Sequence, residues 1–217
     1  MRSGLTIVSM VFVCLAGCSS LPRAQTRESA QQANAKLVVP RNLIDVLRNF
    51  KVAIDSELLL RDDFYTEENL KRFSGGREIT WHSTSGDGKN WGSIAGFDSI
   101  AEPLVYGGTT YNALYISFWQ EVRDEKGIAT RWRLDFHSPQ RPDFSDVEAI
   151  FGKQWVLYEL SVPIPDMQRP RAPTRLHGNE KIIYQSVTPV REQQMRFDFA
   201  FDATLEHAGF MLRRQSK

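Results

Sequence analysis

Only two of the 217 residues are cysteine, Cys14 and Cys18. Nothing after Cys18 carries a thiol, so the remainder of the chain has no disulfide, no thiol nucleophile and no cysteine-bound metal. An excess of charge of either sign is also missing: 27 Lys plus Arg face 26 Asp plus Glu, a formal net charge of +1. That balance excludes the broad positive field of a general nucleic-acid binder and the self-repelling composition of an acidic solvating tail. Beyond the N-terminus no apolar run is long enough to cross a bilayer, which excludes a multi-span helical membrane protein. There is no P-loop, no GxSxG elbow, no HExxH pair and no dinucleotide fingerprint. No metal and no cofactor is expected.

The N-terminus is rich by comparison. Residues 1–20 read MRSGLTIVSMVFVCLAGCSS, with a positive charge at Arg2, an apolar stretch from Leu5 to Ala16 and then small residues. This is the pattern of a secretory signal, too short for a stable span and followed at once by polar sequence. The quartet Leu15-Ala16-Gly17-Cys18 resembles the lipobox of bacterial lipoproteins. The resemblance implies cleavage between Gly17 and Cys18 and attachment of lipid to the Cys18 thiol, with acyl chains such as palmitate. Small residues before the cysteine let a peptidase reach the backbone, and only a thiol forms the thioether. Ser19 and Ser20 follow with no Asp directly after Cys18, which in that class implies the outer membrane of a Gram-negative cell, with the domain facing the periplasm. Each buried methylene adds about 0.8 kcal/mol, so two or three chains hold a protein to a membrane permanently. Loss of residues 1–17 removes Arg2 and brings the net charge close to zero.

Residues 18–37 are polar, rich in Ser, Ala and Gln, and lack aromatics. They read as a tether with an end-to-end reach of about 25 Å if the chain is a flexible coil. Residues 38–217 read as one globular domain, large enough to be held by its core without disulfides. After Pro40, Leu43, Ile44, Leu47 and Phe50 fall at helical spacing. A second short helix is expected from Thr66, as N-cap, to the Gly75-Gly76 stop. A third is expected in SDVEAIFG, with Ser145 as N-cap, Glu148 as its capping-box partner and Gly152 as stop.

Elsewhere the period is two. REITWHST, YNALYISFWQEV, ATRWRLDFHS, KQWVLYELSV, KIIYQSVT and EQQMRFDFAFDA are strand candidates. Trp132, Leu134 and Phe136 alternate with Arg131, Arg133 and Asp135, and Phe197, Phe199 and Phe201 alternate with Arg196, Asp198 and Asp202. Such alternation predicts antiparallel pairing with one buried and one wet face. Ser85–Gly88 and Asp124–Gly127 stand where hairpin turns are needed. The expected fold is α+β: a curved antiparallel sheet of six to eight strands with two or three short helices on one face.

Four places carry candidate chemistry. His82 with Asp87, across the first hairpin, and Asp135 with His137, on one face of a strand, can each orient a base, although neither completes a metal set or a nucleophile pair. They are weak catalytic candidates, and surface polar residues have the same composition. Of Trp81, Trp91, Tyr111, Tyr115, Trp119 and Trp132, most are expected in the core. Trp91, just beyond a turn, is the one expected at the surface as a contact residue. Finally, Arg169, Arg171 and Arg175 lie in a loop stiffened by Pro163, Pro165, Pro170 and Pro173. There they offer bidentate donors to an acidic protein groove or to phospholipid headgroups.

The expected function is that of a lipid-anchored, periplasm-facing envelope lipoprotein that acts by non-covalent binding of another protein, as an immunity or inhibitor protein or as an envelope-assembly factor. Nucleic acid is not an expected partner. The alternatives are a periplasmic hydrolase acting on peptidoglycan or lipid and a carrier of a small apolar ligand. The enzyme reading requires the weak candidates to converge in one pocket, and the carrier reading requires an apolar cavity.

Overall fold

The computed structural model describes residues 35–84, 89–123, 127–158 and 176–215. Cys18, the tether up to residue 34, Asp87, Arg169, Arg171 and Arg175 lie outside the described residues, as do the turns at 85–88 and 124–126.

Helix α1 spans Leu43–Asp55, and Leu43, Val46, Leu47, Phe50, Ala53 and Ile54 along one stripe are all fully buried. Asn42 caps it by accepting the Asp45 N–H at 2.9 Å. Two short 3-10 turns, Leu58–Leu60 and Asp62–Phe64, lead to α2, Glu67–Ser74. Thr66 is its N-cap and Gly75, in the left-handed region at φ 77°, is its stop, as the sequence predicts. The third helix, α3, spans Phe144–Phe151 and also ends at Gly152. It starts one residue before the expected cap. Asp143 forms the capping box with Asp146, and Ser145 instead donates its hydroxyl to Asp143 at 2.6 Å. The sequence carries two overlapping box patterns, and the carboxylate at Asp143 accepts from both the Asp146 N–H and the Ser145 hydroxyl.

An eight-stranded antiparallel sheet runs in the order β1-β2-β5-β6-β10-β9-β8-β7. Its members are β1 (Glu78–Thr84), β2 (Lys89–Ala95), β5 (Leu114–Arg123), β6 (Gly127–Phe136), β7 (Val156–Leu157), β8 (Lys181–Thr188), β9 (Arg191–Phe199) and β10 (Leu205–Arg214). Between β2 and β5 a separate hairpin forms from β3 (Leu104–Tyr106) and β4 (Thr109–Tyr111). Two expected strands are shorter than the sequence suggests. KQWVLYELSV contributes only Val156–Leu157 to the sheet within its described part. The chain leaves β9 at Phe199 for a turn through Ala203 at φ 64°, so Phe201 is 55% exposed rather than buried with Phe197 and Phe199.

Rings weld the helices to one face of the sheet. Phe50 of α1 stacks on Phe210 of β10 at 4.7 Å and meets Trp132 of β6 edge-on at 5.4 Å. Phe73 of α2 lies 5.7 Å from the same Trp132. Phe151 of α3 lies 4.8 Å from Phe197 of β9. All three helices therefore cover the face that carries Phe118, Trp132, Phe197 and Phe210. Such edge-to-face and offset pairs add to the area that the rings bury.

Candidate functional site

No described helix crosses the opposite face, and the strand registers order its side chains in rows. One row runs Trp91 (β2), Trp119 (β5), Arg131 (β6), Met211 (β10) and Gln194 (β9). The next runs Ser117 (β5), Arg133 (β6), Gly209 (β10) and Arg196 (β9). A third runs Tyr115, Asp135, His207, Asp198 and Lys181. The first two rows floor an open groove of about 720 Å³.

Trp91 is 47% exposed, as its position beyond the first hairpin predicts, and its indole stacks on the His82 ring at 4.1 Å. The other aromatics depart from expectation. Of the six singled out in the sequence, only Trp132 is buried, at 2% exposure. Trp81, Tyr111 and Tyr115 are exposed, and Trp119 is half-buried on the open face. Alternation puts Trp119 on the face opposite Phe118, and Phe118 is the one that meets the helices.

The arginines are held in place. Arg133 donates from Nε to both oxygens of Asp135, at 2.9 and 3.1 Å. Asp135 also accepts from His207 Nδ1, in the tautomer that carries its proton there, at 2.6 Å. Arg196 donates from Nε and Nη2 to the two oxygens of Asp198, at 2.9 and 3.0 Å, and lies over the Tyr158 ring at 4.6 Å. Lys181 Nζ stands 3.8 Å from the same carboxylate. Arg131 lies over the Trp119 ring at 5.9 Å and pairs with no carboxylate among the described residues. Between Arg133 and Arg196 the strand carries Gly209, and a Cβ built there would meet nothing within 4 Å. The result is a notch about two strand spacings, some 9–10 Å, across.

The weak catalytic candidates do not converge. Asp135 is paired with His207 from β10, not with His137. The His137 Nδ1 lies 3.2 Å from the Asn112 carbonyl, beyond the end of β6. His82 belongs to β1, three strands away from Asp135 on β6. Among the described residues no three His, Asp or Glu side chains gather as metal ligands.

Sequence reasoning missed Arg131, Arg133, Arg196, His207, Gly209 and Met211 as members of one surface. The signal available was the Arg-x-Arg-x-Asp alternation of β6, repeated as Arg-x-Asp in β9. What it lacked was β10, where Gly209 and Met211 stand in place of the polar residues whose alternation with Ala208, Phe210 and Leu212 would mark a strand.

These features define an α+β protein with a helix-covered core face and an open face lined by tryptophan, methionine and arginine. No family model matches the chain, and no curated protein or solved structure matches it either. Its function is therefore read from its own residues.

Proposed function

We propose that this chain is a lipid-anchored lipoprotein of the outer membrane, facing the periplasm, that acts by binding another envelope protein through the open face of its sheet. The lipobox resemblance at Leu15–Cys18 supports the anchor and the compartment. The observation that carries the binding reading is the open face itself: exposed Trp91 and half-buried Trp119 and Met211 stand among guanidiniums already fixed by Asp135 and Asp198. Aromatic, Met and Arg side chains are enriched at protein interfaces and supply most of the binding energy there, whereas a merely wet sheet face carries short polar and charged residues. An immunity or inhibitor protein and an assembly factor would both use such a face.

The test is chemical crosslinking of the full-length lipidated protein in intact cells, followed by purification and identification of partners by mass. One stoichiometric envelope protein, lost when Trp91→Ala and Arg131→Ala are combined, is the expected result. Recovery of the chain alone overturns the binding reading. The anchor is tested separately: Cys18→Ala should leave the membrane fraction, and its retention there rejects the lipobox.

A further inference from the structure

We propose that the notch over Gly209, between Arg133 and Arg196, receives an aspartate or glutamate carboxylate of the partner protein. The neighbouring apolar part of that partner's chain then lies on Trp91, Trp119 and Met211. This rests on the protein-binding reading above and names the chemistry that the partner must present.

Three observations lead there. The first is shape. Gly209 leaves open space where every other residue type would place a side chain, at the midpoint between two guanidiniums in the same row.

The second is an imbalance of donors and acceptors. Arg133 spends only Nε on Asp135, so both of its terminal nitrogens have no partner among the described residues. Arg196 spends Nε and Nη2 on Asp198 and keeps Nη1. Arg131 has only the Trp119 ring. The carboxylates beside these arginines, Asp135 and Asp198, are engaged already. A ligand here must bring acceptors, and a carboxylate offers two oxygens in the geometry that a guanidinium fork matches. A sugar chain, rich in hydroxyl donors, would find few free acceptors. A membrane surface, a continuous plane of phosphates, would meet Asp135 and Asp198 in the same face.

The third is preorganisation and extent. The ion pairs and the Tyr158 ring hold the guanidiniums, so little side-chain freedom remains to be lost on binding. From Trp91 on β2 to Gln194 on β9 the face crosses four strand spacings, about 19 Å, the scale of a protein contact rather than of a small molecule.

The experiment places a photo-crosslinking benzoylphenylalanine at Trp91, and separately at Arg48 on the exposed side of α1, in the full-length protein in intact cells. The Trp91 probe is expected to give one protein adduct whose crosslinked segment contains an Asp or Glu beside apolar residues. Arg133→Gln with Arg196→Gln should lower its yield about tenfold or more. Arg→Lys at both positions should fall between. Gly209→Val fills the notch while leaving both arginines in the sequence, and should abolish the adduct. It also serves as the second variant if the double glutamine protein is poorly folded, folding being checked by unfolding midpoint. An adduct on a segment without acidic residues, an adduct with glycan or lipid, or a yield indifferent to both Gly209→Val and the arginine pair overturns the proposal. A Trp91 adduct that survives both Gly209→Val and the arginine changes overturns this proposal and leaves the open-face binding reading standing; capture at Arg48 alone, or at neither position, overturns both.

Discussion

The imidazole of His82 and the indole of Trp91 face each other across the β1–β2 pair, their centroids 4.1 Å apart and their planes 25° from parallel. The stack shields one face of the most exposed tryptophan of the sheet. His82→Ala should raise the quenching of tryptophan fluorescence by acrylamide, and Trp91→Phe should cancel that rise. Both residues are exposed, so the stability of the His82 variant should move by no more than about 0.5 kcal/mol. Unchanged quenching would mean that the stack does not persist in solution.

Two glycines of the same sheet should respond oppositely to a side chain. A Cβ at Gly92 would collide with the Thr80 carbonyl oxygen and stand 2.9 Å from the Phe118 ring, on the covered side. Gly92→Ala should therefore destabilise the fold by about 1–3 kcal/mol. Gly209→Val meets open space and supplies a residue that favours strands, so stability should hold or rise by up to about 1 kcal/mol. Urea unfolding of the two variants checks the contrast, and a large loss for Gly209→Val would show that the notch is filled.

Beneath the sheet, the Tyr65 hydroxyl donates to the Leu59 carbonyl at 2.7 Å and lies 3.0 Å from Thr130 Oγ1, which also accepts from Trp132 Nε1 at 3.0 Å. Burial pushes the Tyr65 phenol far above the ordinary tyrosine range, so it stays protonated at any pH the fold survives. Tyr65→Phe keeps the ring packing but removes the hydroxyl, leaving the Leu59 carbonyl short of a donor. The expected loss is about 1–3 kcal/mol by denaturant unfolding. A neutral result would mean that water replaces the hydroxyl.

Acid should unfold the protein through particular carboxylates. Burial raises the Asp45 pKa but is outweighed by the Arg41 N–H and the Arg41 and Arg48 guanidiniums, so it lies below its ordinary 3.8. For Asp143 burial is likewise outweighed, by the Ser145 hydroxyl and the Asp146 N–H, and for Asp202 by the hydroxyl and N–H of Thr204. A carboxyl whose folded pKa is depressed adds stability that is fully present above its unfolded value and is lost as pH falls through the folded one. Stability from these three groups should therefore be level above about pH 4 and decline below it. Asp45→Asn should weaken the protein at pH 7 and flatten the acid limb. An acid limb unchanged in Asp45→Asn would assign the loss to other groups.

Much of the fold was legible because the period of two is nearly unbroken. Leu134 and Phe136 of β6 are buried, and Arg133 stands opposite them. What alternation cannot state is which of two faces the helices will cover when both carry rings. Phe118 and Trp119 are neighbours of similar hydrophobicity, and only the packing of Phe50, Phe73 and Tyr65 against the Phe118 side decides between them. The same gap hid the groove. A shared surface made from β2, β5, β6, β9 and β10 exists only once registers are set, and Asp135 finds His207, 72 positions along the chain, rather than its near neighbour His137.

The strand order has a consequence for how the molecule is made. One half of the sheet grows outward to inward from β1 to β6, and the other grows inward from the far edge, from β7 to β9. The two meet only through Leu205–Arg214, the last strand of this sheet in chain order. Until it docks, each half exposes an unpaired inner border, and a chain cut before residue 205 holds two incomplete sheets with no seam between them. Closure of the sheet waits for this central strand, so the notch at Gly209 forms in the same event that joins the two halves.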